Sequence, residues 1–124
     1  MPLLNYALLP VKAPLESARL YDVLLEAPAV ERADSFVLYV LPNGFKIGLW
    51  SRQDMVPAPA AAGGLELCFT EPSAEAVDAK HQAWSRLGLA TLQAPCVMDF
   101  GYTFVAEDPD GHRLRVFAPA DGPR

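Results

Sequence analysis

The sequence has few cysteines and no long apolar run. Cys68 and Cys96 are its two cysteines among 124 residues, and their spacing matches no metal-binding motif. We expect free thiols, because disulfides are rare in cytosolic proteins. No apolar run reaches ~18 residues, so the sequence predicts no membrane span. The segment from Met1 to Pro10 lacks the basic region and cleavage site of a signal peptide, so a cytoplasmic protein is expected.

Positive charge is also scarce. Ten Lys and Arg residues stand against 15 Asp and Glu residues, which gives a net charge of −5. No basic stripe with interleaved aromatic residues is present, so nucleic acid is not expected as a partner. The signatures Gly-x-Ser-x-Gly and His-Glu-x-x-His and a phosphate-binding loop are missing as well. Hydrophobic residues make up 52% of the chain, which is typical of a globular protein.

The sequence does contain a turn signal, and it occurs twice. In Asp108-Pro109-Asp110-Gly111, the proline presets φ for the second turn position, and the glycine takes a positive φ without a steric cost. The other copy is Leu41-Pro42-Asn43-Gly44, with Asn43-Gly44 aligned on Asp110-Gly111. A doubled hairpin indicates an internal repeat.

The strand that follows each turn alternates in character. After the later turn, Leu114 and Val116 point to one face, and Arg113, Arg115 and Phe117 point to the other. The earlier strand aligns on this one as follows: Lys46 on Arg113, Ile47 on Leu114, Gly48 on Arg115, Leu49 on Val116 and Trp50 on Phe117. We expect the apolar face to pack on a helix, while the face with two arginines and an aromatic ring suits a partly polar pocket.

Hydrophobic periodicity predicts two helices and seven strands. One helix begins at Ala13-Pro14 and stops at Pro28, and the other begins at Pro72-Ser73 and ends at Gly88. The predicted strands are Leu3–Val11, Asp34–Leu41, Phe45–Ser51, Leu65–Thr70, Thr91–Val97, Gly101–Glu107 and the strand after Gly111. Pro95 interrupts the strand at 91–97. The order is therefore β-α-β-β, with room for one more short strand, followed by β-α-β-β-β.

This order predicts a single domain over residues 1–124 that contains two modules. Module one covers residues 1–52, a linker covers 53–64, module two covers 65–118, and a Pro- and Gly-rich tail covers 119–124. The linker is rich in proline, alanine and glycine, which is typical of an exposed connection. An active-site flap is the alternative interpretation of the same segment.

Two such modules, each with an Asn-Gly or Asp-Gly hairpin, resemble the vicinal oxygen chelate superfamily of glyoxalase I, extradiol dioxygenases and bleomycin-resistance proteins. The resemblance covers Asn5 to Phe117, and the stretch Ser17–Tyr21 with Leu24-Leu25 is similar to the first helix of that family. It implies an α+β fold in which two β-α-β-β-β modules form one cup-shaped sheet around a ligand. It also implies a homodimer, which fits an edge strand that contains Pro10 and needs cover.

The resemblance also identifies the positions where metal enzymes of this family carry His, Gln or Glu. These positions correspond here to Tyr6, Gly48, Glu66 and Arg115. Glycine offers no ligand, and arginine is a permanent cation that repels a metal. Glu66 alone is a good ligand for a divalent ion, which needs three or four nitrogen or oxygen donors. We therefore expect no metal and no other cofactor.

Glu66 and Arg115 permit two interpretations. If both lie on the inner face, they are expected to pair, because a half-buried carboxylate and guanidinium strongly prefer each other. One interpretation is a structural ion pair. The other is a polar anchor for a ligand with a carboxylate, hydroxyl or amine group. Cys68 has the same strand parity as Glu66, so it is a further candidate for the ligand-binding face, although buried cysteines are usually inert.

Aromatic side chains support a ligand-binding cavity. Trp50 and Phe117 occupy equivalent positions of the two modules, Tyr6 adds a third ring, and Tyr102 and Phe104 share one face of their strand. Such rings pack well on flat aromatic ligands, although ordinary core packing is the alternative for any one of them.

Two functions are compatible with these residues. The first is a metal-free binding protein of the bleomycin-resistance type that sequesters a small, flat aromatic or antibiotic-like compound, and the net negative charge and Glu66 are compatible with a cationic ligand. The second is a metal-dependent lyase or dioxygenase related to glyoxalase I. The resemblance concerns the fold, and one fold supports many chemistries, so the site has to decide between them.

Overall fold

The computed structural model describes residues 2–120, which form eight strands and two helices. In chain order they are β1 (Tyr6–Val11), α1 (Pro14–Leu24), β2 (Glu31–Arg32), β3 (Phe36–Val40), β4 (Lys46–Ser51), β5 (Glu66–Thr70), α2 (Ala74–Arg86), β6 (Ala90–Met98), β7 (Gly101–Glu107) and β8 (Arg113–Pro119). The chain divides into two compact units between Ala60 and Ala61, within the predicted linker. Each unit has the order β-α-β-β-β, which confirms the predicted α+β fold class. Neither described helix is long and apolar enough to cross a membrane.

The first unit contains a four-stranded mixed sheet with the strand order β1-β4-β3-β2. β1 runs parallel to β4, and the remaining pairs are antiparallel. Alternate residues of these strands are fully buried, among them Val37, Tyr39 and Leu49. The Tyr39 hydroxyl donates a hydrogen bond to the Ala18 carbonyl of α1 at 3.2 Å and to Asp22 at 2.7 Å. Helix α1 is therefore joined to one face of this sheet by packing and by hydrogen bonds.

The second unit repeats this arrangement with the strand order β5-β8-β7-β6. β5 runs parallel to β8, while β8–β7 and β7–β6 are antiparallel. Helix α2 begins after Ser73, whose Oγ accepts a hydrogen bond from the Ala76 amide at 3.1 Å, as expected of an N-cap residue. Trp84 of α2 packs edge-on against Phe69 of β5 and Phe104 of β7, at centroid distances of 5.2 and 5.6 Å. These rings form the core between α2 and its sheet.

Both predicted turns are confirmed. The Gly44 amide donates to the Leu41 carbonyl at 2.8 Å, and the Gly111 amide donates to the Asp108 carbonyl at 3.0 Å. The two glycines have φ values of 90° and 92°, which a residue with a side chain adopts only at a cost. In the later turn, Asp108 Oδ1 also accepts hydrogen bonds from the amides of Asp110 and His112, at 2.9 and 2.8 Å. This carboxylate therefore fixes the start of β8.

The predicted segments of β1, α1 and β6 differ from the observed ones, and several other strand ends shift by one or two residues. β1 begins at Tyr6 rather than Leu3. α1 ends at Leu24, before Pro28, because Glu26 takes a left-handed conformation with a φ of 53°. β6 continues through Pro95 as one nine-residue strand. It tolerates the proline because it lies at the sheet edge and shifts register twice, between Thr91 and Cys96. Of the predicted tail, residues 121–124 lie outside the described residues.

Gly101 at the start of β7 provides a sharp test of this backbone geometry. Its φ is 148°, and a Cβ atom there would lie 2.0 Å from the Ala118 carbonyl oxygen. Gly88 also has a positive φ, 90°, but a Cβ there would meet nothing within 4 Å. We expect Gly101→Ala to lower the free energy of unfolding by more than about 3 kcal/mol, and Gly88→Ala by about 1 kcal/mol. Urea denaturation measures both, and equal losses would contradict the packing of β7 on β8.

Candidate functional site

The side chains of strand β8 alternate between the two faces of the second sheet. Leu114 and Val116 are fully buried. In register with β5, Arg113 lies opposite Glu66, Arg115 opposite Cys68, and Phe117 opposite Thr70. Because registered partners share a face, these side chains lie on the face that is turned away from α2. We call this surface, with the residues that contact it, the Arg115 face. It is defined by Glu66, Cys68, Gln93, Phe100, Thr103, Arg113, Arg115 and Phe117.

The predicted ion pair between Glu66 and Arg115 is present and bidentate. Arg115 Nε donates to Glu66 Oε1 at 2.7 Å, and Nη2 donates to Oε2 at 3.3 Å. Arg115 Nη1 donates to Gln93 Oε1 and to Thr103 Oγ1, both at 3.1 Å. Thr103 Oγ1 in turn donates to the Val116 carbonyl at 2.8 Å. The guanidinium is thus held in one orientation by three side chains.

A second arginine approaches the same carboxylate. Arg113 Nη2 lies 2.7 Å from Glu66 Oε2, so that two guanidinium groups share one carboxylate. The hydrogen bond from Arg115, followed by the charges of both arginines, holds the pKa of Glu66 below its usual range. Arg113 Nε is buried and makes no hydrogen bond within residues 2–120. An unsatisfied donor of this kind costs about 1–3 kcal/mol.

An aromatic pair adjoins the guanidinium of Arg115. The ring of Phe100 lies 5.7 Å from Arg115 Cζ, within the range of a cation–π contact. Phe117 packs edge-on against Phe100, with ring centroids 5.9 Å apart and an interplanar angle of 78°. The Arg115 face therefore combines a fixed cation with apolar rings.

Tyr102 and Phe104 lie on the other side of the sheet. Phe104 is fully buried, with its ring 5.0 Å from that of His81 and 5.6 Å from that of Trp84, both on α2. The Tyr102 hydroxyl donates to Asp78 of α2 at 2.7 Å. The two residues share a face with each other, as expected, but the structure does not bring them to Arg115. The reason is the register of β7 on β8, which sets Phe104 opposite Val116.

Cys68 carries an exposed free thiol on β5, opposite Arg115 in register. Burial around the sulfur atom, and secondly the charge of Glu66, raises the pKa of this thiol. It is therefore protonated at neutral pH and is a weak nucleophile. Cys96, opposite Thr103 in β7, is also a free cysteine, as the sequence predicted.

Tyr6, Gly48 and Trp50 belong to the first unit and share the face of its sheet that is turned away from α1. Gly48 lies between Leu8 and Leu38 in register, and Trp50 lies between Pro10 and Phe36. A Cβ atom at Gly48 would lie 2.8 Å from the Leu8 side chain and 3.0 Å from the Phe36 ring. The missing side chain is thus what lets these two neighbours approach. This face of the first unit is mainly apolar, without a counterpart of Arg115.

Four contributors to the Arg115 face were not predicted as site residues from the sequence. Arg113 alternates in step with Arg115 along the strand, so the sequence predicted that both lie on one face. The contact of Arg113 with Glu66 could not be predicted in this way. Thr103 lies opposite Phe117 across the β7–β8 hairpin. This pairing could have been predicted by counting residues outward from the turn at Asp108 along both strands. Gln93 lies in the irregular part of β6, and Phe100 lies in the turn before β7, so neither carried a periodic signal.

Comparisons with known proteins agree with this architecture. No family model matches the sequence, and a search of curated proteins finds no match. The chain is 44% identical to protein ATC0852 from Agrobacterium tumefaciens, whose solution NMR structure matches with a TM-score of 0.90 over 97% of this chain and 99% of that chain. A glyoxalase/bleomycin resistance protein from Albidiferax ferrireducens is 26% identical, with a TM-score of 0.73 over 92% of this chain and 96% of that chain. The chain has the fold of glyoxalase/bleomycin resistance proteins, which supports its resemblance to the vicinal oxygen chelate superfamily.

Other solved structures share the fold at lower identity. A glyoxalase-related enzyme from Fulvimarina pelagi is 21% identical and matches with a TM-score of 0.83 over 99% of this chain and 96% of that chain. The fold is therefore shared by proteins with very different sequences.

The residues at the metal positions of the superfamily do not fit a divalent ion in this chain. Tyr6, Gly48 and Arg115 supply no suitable set of donors, and both oxygens of Glu66 already accept from guanidinium groups. In the part of the chain that the structure describes, no three His, Cys, Asp or Glu side chains are grouped so that they could hold a metal. Binding a cation at Glu66 would require two arginines to be displaced first.

A double-mutant cycle tests the coupling of Arg115 to Glu66. We expect Arg115→Met to lower the free energy of unfolding by about 2–3 kcal/mol, because it removes charge-assisted hydrogen bonds from a half-buried carboxylate. Arg113→Met, at a more exposed contact, should cost less than about 1 kcal/mol. Adding Glu66→Gln to Arg115→Met should recover part of the loss. Strict additivity of the two single changes in urea denaturation would show that the pair does not contribute as a unit.

The lowered pKa of Glu66 also makes stability depend on pH. A carboxyl group with a lowered pKa in the folded state stabilises the fold above its unfolded pKa of about 4.3, and loses that contribution as the pH falls through its folded pKa. We expect the wild type to lose more stability between about pH 5 and pH 2 than Glu66→Gln does. Asp99→Asn, at an exposed position, is the control and should retain the wild-type slope. Parallel curves for all three proteins would contradict the pairing of Glu66.

Proposed function

We propose that this protein binds a small aromatic compound on the Arg115 face and sequesters it without a metal. Antibiotic-like compounds with a flat ring are included in this class. One observation carries the proposal: a guanidinium held by Glu66, Gln93 and Thr103 lies beside the aromatic pair of Phe100 and Phe117. A few placed polar groups next to apolar rings are typical of small-molecule sites.

Preorganisation supports binding. Four hydrogen bonds already order the Arg115 side chain, so a ligand does not have to immobilise it. Ordering a long side chain on binding costs about 0.5–1.5 kcal/mol, which this arrangement avoids. A flat ring that packs against Phe100 and Phe117 would bury apolar area next to a group that fixes its orientation.

The donor groups favour binding over metal-dependent chemistry. A lyase or dioxygenase of this superfamily would need several ligands around an ion, and Glu66 is engaged by two arginines. The thiol of Cys68 is protonated at neutral pH, which argues against a cysteine nucleophile. The residues on the Arg115 face thus provide recognition groups and no evident reactive group.

A ligand screen by thermal shift tests the proposal. We expect at least one aromatic metabolite or antibiotic to raise the Tm of the wild type by several degrees, because a ligand at 100 times its Kd adds about 2.7 kcal/mol to the native state. Arg115→Met and Phe100→Leu should reduce that shift, each measured from its own baseline Tm. Arg86→Met, at the exposed end of α2, is the matched control and should keep it.

Elemental analysis of the purified protein complements the screen. We expect less than stoichiometric zinc, nickel, manganese or iron. No stabilising compound in the screen, or one equivalent of such a metal, would contradict the proposal and favour the metal-dependent alternative.

A further inference from the structure

Arg113 differs from Arg115 in how its hydrogen-bonding capacity is used. A guanidinium carries five N–H donors. Arg115 uses both sides of its guanidinium, against Glu66 on one and against Gln93 and Thr103 on the other. Within residues 2–120, Arg113 makes one ion-pair contact, from Nη2 to Glu66 Oε2, so its Nη1 remains for a ligand; its Nε also has no partner there but is buried. Arg113 is therefore the arginine with donors to spare.

Arg113 is also the arginine that a ligand can reach. Its side chain is 38% exposed, against 17% for Arg115. Both guanidinium groups contact the same carboxylate, so Arg113 and Arg115 lie side by side with Glu66 between them. Along β8, Arg115 lies between Arg113 and Phe117, so a ligand that packs on the rings reaches Arg113 by extending across Arg115.

The charges of the cluster do not cancel. Glu66 supplies one negative charge, and Arg113 and Arg115 supply two positive ones. Glu107 lies opposite Arg113 in the β7–β8 register, but it forms no ion pair with it in the described part of the chain. The cluster around Glu66 therefore carries one surplus positive charge, although the whole chain has a net charge of −5.

We infer that the ligand of the Arg115 face is an aromatic carboxylate whose acidic group binds Arg113. This inference rests on the proposed function and specifies its ligand class. A monoanion matches the single surplus charge, and a carboxylate matches the planar fork of a guanidinium, which binds it with two parallel hydrogen bonds. Glu66, already shared by two arginines, disfavours a cationic ligand because it has no free charge to offer. Arg115 has a positioning role, since it holds Glu66 and borders the rings.

Three probes with one ring system and different charge test the inference. They are 2-naphthoate, 2-naphthamide and 2-naphthylmethylamine, which are anionic, neutral and cationic at pH 7. Binding to the 124-residue chain is measured by isothermal titration calorimetry at 0.15 M salt, where nonspecific attraction between distant charges is screened. We expect naphthoate to bind at least about tenfold more tightly than naphthamide, because charge-assisted hydrogen bonds are about twice as strong as neutral ones.

Variants of Arg113 assign the effect to that residue. Arg113→Gln should weaken naphthoate binding to the level of naphthamide and leave naphthamide binding unchanged, which also shows that the variant is folded. Arg113→Lys, which keeps the charge but loses the fork, should retain part of the preference. Arg86→Gln, at the exposed end of α2, is the control and should bind all three probes like the wild type.

The possible results separate the inference from the proposed function. Equal affinity for the three probes, or a preference for the amine, would overturn the carboxylate inference and leave aromatic binding intact. A naphthoate preference that survives Arg113→Gln would overturn the assignment to Arg113. Binding of none of the probes to the wild type would contradict both the inference and the proposed function.

Discussion

The second sheet is organised around the charge of Arg115. The residue lies on β8, and its guanidinium contacts Glu66 on β5, Gln93 on β6 and Thr103 on β7, so one side chain joins all four strands. A charge that is largely withdrawn from water has to be paired and hydrogen-bonded. This requirement constrains the residue types at three other positions at once, and it explains why polar groups gather on an otherwise apolar sheet.

The two units have the same fold but different sheet faces. Where β8 carries Arg115, the aligned position in β4 is Gly48, and its neighbours Leu8 and Phe36 approach the space that a side chain would fill. Both units nevertheless join helix to sheet through a tyrosine hydroxyl and a helical carboxylate, Tyr39 with Asp22 and Tyr102 with Asp78. The two pairs lie at different positions of the repeat, because the residue of β7 that aligns with Tyr39 is Ala106. The units therefore share the type of helix–sheet contact but not its site, and the faces turned away from the helices differ as well.

The local order of the chain could be predicted because its signals are local. The β-α-β-β-β order, the turns at Gly44 and Gly111 and the burial of Leu114 and Val116 follow from glycine, proline and a two-residue alternation. The ion pair of Glu66 and Arg115 was also predictable, since two opposite charges on one partly buried face have few alternatives. The predicted boundaries failed where a single backbone conformation decided the outcome, as at Glu26 at the end of α1.

The sequence by itself determined which residues alternate within each strand and which turns connect the strands. Only the tertiary structure decided which alternating sets share a face. The register of β7 on β8 sends Phe104 and Tyr102 to α2 and Thr103 to Arg115, and a shift of one residue would have exchanged them. The register shifts in β6, likewise, decide that Gln93 reaches Arg115. Alternation is a property of a single strand, whereas register is set by the pairing between strands. The register therefore cannot be predicted from the residue pattern of one strand.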